Sequence, residues 1–391
     1  MEEVRVEKIE NCIKVFLKGR IDSTNAPEFD AVIKESVPDD GDVIIDAGEL
    51  EYISSAGLRV ILHIIKKHKN IKMINVGSEI YEILDMTGFN QMMTVEKAYK
   101  QVSVEGCEVI GKGANGTLYR IDKDNVVKVY NDPNALDDIH HEREVARLAL
   151  VLGIPTAISY DVVKVGDSYG SVFELLNAKS FSSIIASEPD KFDWCVDEFA
   201  DLLKKIHSTE VAPGKLPRIK DTVLKWVDFT KDYIDDAHYQ KLKALVEAVP
   251  DTDFMIHGDY HTNNVEFQND EVILIDMDTL AVGHPIFELG SIYNAFVGFY
   301  ELDKDSILDF LGYDFDTADR FYKKVLAKYL ETEDENKINE VIDKARIIGY
   351  TRLIRRSIRR GALENEQGIN KIEFWKKELF ELLDVTDTLN F

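Results

Sequence analysis

The sequence predicts two domains, a mixed α/β domain at the amino terminus and an α+β domain in the remainder. Its 391 residues exceed the usual length of a single domain. Strand and helix patterns alternate from about residue 4 to 98, and a second series of strand patterns follows directly. From about residue 287 onward the pattern is helical. This order indicates a sheet covered by helices, followed by further strands and then many helices.

The composition describes a soluble globular protein. Hydrophobic residues make up 45% of the chain and charged residues 30%, so a sizeable core can form. The sequence has no run of about 18 apolar residues and no signal-type amino terminus, so we expect a cytoplasmic protein that does not enter a membrane. The formal net charge of −25 disfavours nucleic acid and anionic membranes as partners, because binding to both requires clustered cations.

The cysteines indicate neither a disulfide framework nor a zinc site. Cys12, Cys107 and Cys195 are far apart in the sequence and form no CxxC pair. We expect ordinary reduced thiols.

The first hundred residues contain alternating strand and helix signals. VRVEKIENCIKVFLKG predicts a hairpin with its turn near Glu10 and Asn11, and DVIIDAG and IKMINV predict further strands. AGLRVILHIIKKHK predicts a helix, because Leu58, Ile61 and Ile65 fall on one face at spacings of three and four. A small mixed sheet with helices packed on it follows.

The segments GRIDSTNAPEF, IIDAGELEYISSAGLRVIL and EILDMTGF resemble the STAS domains of anti-sigma factor antagonists, over about 1–100. In that family a Ser or Thr before a helix is phosphorylated, which switches binding to an anti-sigma factor. Ser55, two residues before Gly57, matches this position, so the resemblance implies phosphorylation of Ser55 by an anti-sigma factor-type kinase. Ser54 stands where many such domains have Asp. The alternative is that Ser54 or Ser55 only caps the helix.

The segment CEVIGKGANGTLYRI predicts two strands joined by a glycine-rich turn. Gly111, Gly113 and Gly116 follow the GxGxxG spacing, which also occurs in dinucleotide-binding folds and simple hairpins. The next segment, NVVKVYN, has a strand pattern rather than a helical one and carries Lys128 at its centre. This context favours a loop whose backbone N–H groups cover nucleotide phosphates, with Lys128 contacting them.

A helical pattern, EREVARLALVLG, ends at Gly153 with Pro155 beyond it. Glu144 in this helix lies sixteen residues after Lys128. We expect an ion pair between Lys128 and Glu144 that holds the lysine toward the α and β phosphates. Glu142 is the alternative partner, and either glutamate could instead lie on the exposed face.

The segment HGDYHTNN, residues 257–264, carries the chemistry of phosphoryl transfer. That reaction needs a carboxylate beside the acceptor hydroxyl and oxygen ligands for magnesium. Asp259 supplies the carboxylate, whereas Asn264 and Asp276, at the end of the next predicted strand, VILIDMD, supply the metal ligands. The alternative is a hairpin in which Asp and Asn serve only the turn geometry.

These motifs together resemble the aminoglycoside phosphotransferase and choline kinase group, in which Gly258 stands where protein kinases have Arg. The resemblance implies a two-lobed protein-kinase-like fold over 103–391, with an N-lobe of about 103–175 and a C-lobe of about 176–391. It also implies ATP and magnesium as cofactors, and adenine facing the backbone of Glu174 to Leu176 in VFELLNAKS.

Several other polar residues have two interpretations. His207 is expected to pack or cap rather than act as a base, and Asp278 is either a second metal ligand or a loop carboxylate. Glu288 replaces an Asp that commonly braces the catalytic loop in the family. An arginine cluster could bind an anionic acceptor or an acidic protein surface, or form a salt-bridged structural helix. Its members are Arg352, Arg355, Arg356, Arg359 and Arg360.

The sequence therefore predicts an ATP- and magnesium-dependent phosphotransferase for a small-molecule hydroxyl, fused to a STAS regulatory domain. Gly283-His284-Pro285 follows Asp276 within a few residues, which leaves no activation segment to hold a peptide and favours a small acceptor. The alternative is a nucleotide-sensing anti-sigma factor antagonist that switches partners through Ser55. Aminoglycoside resistance is less favoured, because the fused switch domain indicates a regulated physiological acceptor.

Overall fold

The computed structural model of the chain describes residues 4–9, 12–37, 41–68, 70–113 and 115–391. The chain folds into two compact units. The first unit comprises Met1–Tyr119, Val129–Pro133 and Asp161–Ser171. The second unit comprises Arg120–Lys128, Asn134–Tyr160 and Val172–Phe391.

The amino-terminal part of the chain is a mixed sheet with strand order β1-β2-β3-β4-β5. The strands are β1 Val4–Ile9, β2 Cys12–Ile21, β3 Asp42–Ile53, β4 Ile71–Val76 and β5 Thr94–Lys97. The helices are α1 Ala26–Ser36, α2 Ser55–Lys67 and α3 Ser78–Met86, with a 3₁₀ turn at Phe89–Gln91. Strands β1 and β2 are antiparallel, and the other neighbours pair in parallel. The predicted mixed sheet with helices is confirmed, although Glu10 and Asn11 of the predicted turn lie outside the described residues.

Helix α2 lies close against this sheet because its first turn contains a glycine. A Cβ on Gly57 would stand 2.8 Å from side-chain carbons of both Ile21 and Ile53. Leu58 and Ile61 are buried as their spacing predicts, and Ile65 packs partly against the same core. The sequence period therefore identified the correct face of the helix.

Ser54 begins α2 as its N-cap. Its hydroxyl accepts hydrogen bonds from the backbone N–H groups of Ala56, at 3.2 Å, and Gly57, at 3.4 Å. The side chain thus satisfies donors that have no partner within the helix. Of the two alternatives for the cap, Ser54 holds the position and Ser55 is exposed in the first turn.

A second sheet follows, with strand order β6-β10-β11-β9-β8-β7. Its strands are β6 Lys100–Gln101, β7 Glu108–Lys112, β8 Gly116–Arg120, β9 Asn125–Tyr130, β10 Asp161–Val165 and β11 Ser168–Glu174. Helix α4 spans Leu136–Val151, and Gly153 with φ of +89° follows its end. The glycine-rich turn between two strands, the strand that carries Lys128 and the helix after it are all confirmed.

The rest of the chain is helical apart from short strands. Those strands are β12 Lys179–Ser180, β13 Met255–Ile256, β14 Val265–Gln268, β15 Glu271–Leu274 and β16 Ala281–Val282. The helices are α5 Phe181–Ser187, α6 Phe192–Ser208, α7 Ile219–Thr230, α8 Asp236–Glu247, α9 Ile286–Tyr293, α10 Ile307–Leu311, α11 Phe315–Tyr329, α12 Glu335–Arg359 and α13 Glu366–Val385. Strands β12, β14 and β15 form one small sheet, and β13 pairs with β16.

Helices α9 and α12 approach each other closely. A Cβ on Gly290 of α9 would lie 2.7 Å from the Cβ of Ile348 of α12, so this contact requires a glycine. Gly349 also has its carbonyl bonded to the amide of Asn294, at 3.0 Å. Both helices carry residues that contact the loop 257–264, namely Glu288 on α9 and Arg352 on α12.

The three cysteines are free, and Cys195 is buried. Within the described ranges, no helix combines the length and the apolar character that are needed to cross a membrane.

Replacing Ser54 with Ala should weaken the start of α2 by about 1 kcal/mol, because two backbone donors lose their acceptor. Hydrogen exchange of the α2 amides in the full chain should then become roughly fivefold faster. Ser55→Ala is the matched control, since Ser55 is exposed and its hydroxyl does not cap the helix. Equal exchange in the two variants would contradict the assigned cap.

Candidate active site

The loop 257–264 is held by a buried carboxylate. The backbone N–H of His257 donates to Glu288 Oε2 at 2.8 Å, and that of Gly258 donates to Oε1 at 2.6 Å. Gly258 has φ of +87°, and a Cβ there would lie 2.7 Å from the carbonyl oxygen of Thr279. The loop therefore requires glycine at this position. Glu288 braces the loop even though its side chain is longer than the Asp common in the family.

His207 is the third partner of Glu288. Its Nε2 lies 3.1 Å from Glu288 Oε2, and its Nδ1 lies 2.8 Å from the hydroxyl of Tyr329. Burial raises the pKa of Glu288, but the hydrogen bonds to His207 and from the His257 backbone N–H outweigh it and lower the pKa. His207 is buried and supports the loop, which confirms the prediction that it packs rather than acts as a base.

Asp259 lies between Arg352 and His261. Its Oδ1 lies 3.6 Å from Arg352 Nη2, and its Oδ2 lies 3.6 Å from His261 Nε2. Burial raises the pKa of Asp259, but the nearby His261 and the charge of Arg352 lower it to about 2. The side chain is still 42% exposed, so an ionised carboxylate is accessible to an acceptor.

Arg352 connects helix α12 with the loop 257–264 through a hydrogen bond. Its Nη1 donates to the carbonyl oxygen of Gly258 at 3.2 Å and to the hydroxyl of Ser291 at 2.5 Å. Sequence reasoning placed Arg352 in a cluster but did not connect it with Asp259. Arg352 and Asp259 are 93 positions apart in the sequence, so no local pattern predicts their contact.

His257 joins the loop to the end of β15. Its Nδ1 accepts from the backbone N–H of Asp259 at 3.3 Å, so its Nε2 donates to the carbonyl oxygen of Ile275, also at 3.3 Å. Burial lowers the pKa of His257, despite the neighbouring carboxylates, and the ring is therefore neutral near pH 7. The hydroxyl of Thr279 donates to the His257 carbonyl at 2.6 Å.

The two predicted metal ligands flank the open end of the β14–β15 hairpin. Val265 pairs with Leu274, and the next residues continue the register, since the Ile275 N–H donates to the Asn264 carbonyl at 3.0 Å. The Asn264 Nδ2 donates to the Asp259 carbonyl at 2.9 Å, which leaves its Oδ1 as the atom for a ligand. Asp276 is exposed, with φ of +62°.

An amide oxygen and a carboxylate oxygen are hard ligands that suit Mg²⁺, which commonly takes one or two protein carboxylates together with phosphate oxygens and waters. In the part of the chain that the structure describes, no cluster of three His, Cys, Asp or Glu side chains could hold a metal ion by itself. Asn264 and Asp276 supply ligand atoms of these types, and the phosphate oxygens of a nucleotide would supply others.

Asp278 lies in the field of the same charged groups. Burial and, after it, the charges of Asp276 and Glu142 raise its pKa to about 6, while the charge of Lys128 opposes this rise. Crowding of carboxylates is typical of a cation site and also of a loop carboxylate. Both interpretations of Asp278 remain open.

Lys128 pairs with Glu142, and the prediction of Glu144 as its partner is wrong. Lys128 Nζ lies 2.8 Å from Oε1 and 3.1 Å from Oε2 of Glu142, whereas Glu144 is exposed. The helical phase explains the difference. Glu142 follows the buried Ile139 by three residues and precedes the buried Ala146 by four, so it shares their face.

The glycine-rich turn is tight. Gly113 N–H donates to the Gly116 carbonyl at 2.9 Å, and a Cβ on Gly116 would lie 2.4 Å from the carbonyl oxygen of Val129. Gly111 belongs to β7, while Ala114 lies outside the described residues. The turn has the small residues that a close approach of backbone requires.

The segment predicted to face adenine begins where β11 ends. Glu174 is the last residue of that strand and is exposed, and Leu176 is half-buried. Between them, the Leu175 N–H donates to the Asp124 carbonyl at 2.7 Å. Contacts of Glu174 and Leu176 with adenine stay a prediction.

Two family models match the chain. The phosphotransferase enzyme family matches residues 106–320, and the STAS domain matches residues 3–103. One curated relative is BtrV of Bordetella bronchiseptica, whose name assigns it to the anti-sigma factor antagonists. It is 30% identical over 99 residues, which cover 24% of this chain and 84% of BtrV.

Solved structures with similar coordinates are more distant. The GDP complex of aminoglycoside 2'-phosphotransferase-IIIa is 13% identical, with 78% of this chain and 96% of that chain covered and a TM-score of 0.47. A choline/ethanolamine kinase family protein from Mesorhizobium loti is 12% identical, with coverages of 71% and 88% and a TM-score of 0.47. The assignment therefore rests on the family models rather than on these likenesses.

The phosphotransferase model spans more than half of the chain, and the loop, the hairpin and the lysine–glutamate pair described above lie within it. The chain thus belongs to the phosphotransferase enzyme family, as a kinase-like phosphotransferase that carries an amino-terminal STAS domain.

Proposed function

We propose that the chain transfers the γ-phosphoryl group of ATP to a hydroxyl of a small molecule. The observation that carries the proposal is the loop that holds Asp259 and Asn264, in which the Asn264 side chain donates to the Asp259 carbonyl. The β14–β15 pairing sets Ile275 opposite Asn264, so Asp276 follows one residue later. The loop thus offers one accessible carboxylate, and Asn264 and Asp276 offer an amide oxygen and a second carboxylate as candidate metal ligands. This is the inventory that phosphoryl transfer needs.

Asp259 orients the acceptor hydroxyl and receives its proton. A carboxylate with a pKa of about 2 is a weak base, so it accepts a hydrogen bond first and takes the proton only as the hydroxyl oxygen bonds to phosphorus. At the same time, the bond between that phosphorus and the departing ADP oxygen breaks. The loose transition state of such reactions makes early proton removal unnecessary.

Asn264 and Asp276 would hold Mg²⁺, and Lys128, kept in place by Glu142, would contact the α and β phosphates. The metal neutralises charge on the nucleotide phosphates when it is bound. The backbone of the Gly111–Gly116 turn would cover those phosphates. The close approach of Gly116 to the Val129 carbonyl supports this role for a compact turn.

We also propose that the STAS domain regulates the chain through Ser55 and an anti-sigma factor-type kinase, with functional domains of 1–100 and 103–391. Family models that match 3–103 and 106–320 support these boundaries. Because Ser54 caps the helix, the Ser55 hydroxyl is left exposed for modification. A phosphate there would meet the positive end of the α2 dipole.

Asp259→Asn should reduce acceptor-dependent ATP consumption by about 10²- to 10⁴-fold, because the amide cannot take the hydroxyl proton. The assay uses purified chain, ATP and Mg²⁺ with pools of hydroxyl compounds. Asp270→Asn, in the exposed turn of the same hairpin, is the control and should retain turnover. Full turnover by Asp259→Asn would rule out the proposed role.

Glu288→Gln should lower turnover by about 10- to 100-fold, because the amide nitrogen of Gln cannot accept from a backbone N–H. Glu301→Gln is the control, since Glu301 is also largely buried but bonds to the hydroxyls of Tyr293 and Tyr350 rather than to the loop. Steady-state rates of both variants test this. Equal losses in the two would indicate general destabilisation instead of a specific brace.

Incubation of the full chain with an anti-sigma factor-type kinase and ATP should phosphorylate Ser55. Phosphopeptide mapping identifies the site, and Ser55→Ala should lose the signal. Ser78→Ala is the control, because Ser78 is also exposed at the first position of a helix in the same domain. A map without phosphate on Ser55, using a kinase that modifies other STAS proteins, would defeat the regulatory proposal.

A further inference from the structure

The carboxyl-terminal end of α12 carries a concentration of positive charge. Arg352, Arg355, Arg356 and Arg359 share one face, which we call the arginine face, and Arg360 follows at the end of the helix. Pairs of arginines four positions apart repel each other along a helix. The chain has a net charge of −25, yet within the described residues most of these arginines have no carboxylate beside them. Such repulsion lowers stability, and a local loss of stability is typical of a binding site.

The arginine face is not a salt-bridged structural surface. Among the described residues, Arg352 pairs with Asp259, and Arg355, Arg356, Arg359 and Arg360 have no carboxylate within 4.0 Å.

Acidic groups on the elements packed nearby are engaged elsewhere. Asp228 of α7 accepts from the Tyr239 hydroxyl and lies 3.6 Å from Lys243. Glu301 accepts from two tyrosine hydroxyls. The cations therefore remain available to a ligand.

Aromatic rings hold these guanidinium groups in place. The Cζ of Arg352 lies 5.6 Å from the ring centroid of Trp226, that of Arg355 lies 6.0 Å from Phe229, and that of Arg356 lies 4.9 Å from Phe299. Guanidinium groups stacked on rings keep their N–H edges free for planar anions. The face is thus ordered before any ligand binds.

One cation of the arginine face contacts the proposed base. Arg352 contacts Asp259 directly, and Arg356 lies one turn further along the helix. Burial and the charges of Arg360 and Arg352 lower the pKa of Arg356, whereas the charge of Asp259 raises it. Arg356 is consequently within electrostatic reach of the carboxylate that meets the acceptor hydroxyl.

We propose that the acceptor is an anionic alcohol, whose carboxylate or phosphate binds the arginine face while its hydroxyl lies at Asp259. This inference rests on the proposed kinase function for the reaction, but the anion site itself does not depend on turnover. Guanidinium forks bind both anions through paired hydrogen bonds. A cationic alcohol such as choline would meet the repulsion of the same face.

Glycerate, glycerol 3-phosphate, glycerol and choline form a suitable acceptor panel for the full chain with ATP and Mg²⁺. We expect turnover with glycerate or glycerol 3-phosphate above that with glycerol and choline, and the better of the two distinguishes a carboxylate from a phosphate. Preference for choline or glycerol would overturn the inference.

Arg356→Gln should raise the KM for the anionic acceptor by about 10- to 100-fold, since one charged hydrogen-bonding partner is lost. Arg356→Lys, which keeps the charge without the fork, should show a smaller rise. Lys377→Gln, on the exposed surface of α13, is the charge-matched control and should leave KM unchanged. The thermal midpoint of Arg356→Gln should stay close to that of the wild type, because the relieved repulsion offsets the lost contact with the Phe299 ring. An unchanged KM in Arg356→Gln would overturn the inference.

If no acceptor is phosphorylated, calorimetry with inorganic phosphate, glycerate and glycerol 3-phosphate tests whether the arginine face binds anions. Binding to the wild-type chain that is weakened by Arg356→Gln but not by Lys377→Gln would support the anion site and count against the proposed kinase function alone. No binding of these probes, or equal binding to all variants, would overturn the anion site itself.

Discussion

The position of the loop 257–264 depends on the hydrogen bonds that it donates to the buried carboxylate of Glu288. Its side chain is fully buried, and a charge in that position is stable only with several hydrogen-bond donors. Two of those donors are the backbone N–H groups of His257 and Gly258, which directly precede Asp259. The position of the Asp259 carboxylate therefore follows from how the buried charge of Glu288 is satisfied by hydrogen bonds.

Helices α9 and α12 supply this support from later in the chain. Glu288 lies on α9 and Arg352 on α12, and the close packing at Gly290 and Ile348 fixes the two helices against each other. Arg352 then donates to the Gly258 carbonyl, while Glu288 accepts from the Gly258 N–H. One peptide segment is held from both sides, so the stability of this helix pair and the geometry of the loop are coupled.

Local patterns were enough to predict the main strands and helices. They could not choose between Glu142 and Glu144, because that choice depends on which face of α4 is buried, and the buried face follows from tertiary packing. Nor could they connect Arg352 with Asp259, since the two are joined only in the folded chain. The sequence also could not decide whether Ser54 or Ser55 caps α2. A cap is defined by backbone angles, which the sequence alone does not determine.

The net charge of the chain and the charge of the arginine face have opposite signs, and distance reconciles them. Over many ångströms the surplus of carboxylates sets the potential, which repels extended polyanions such as nucleic acid. At physiological ionic strength that field is screened beyond about 8 Å. A small anion that reaches the arginine face responds mainly to Arg355 and Arg356, which are close and partly buried. An acidic protein can thus exclude polyanions and still select a small anionic molecule.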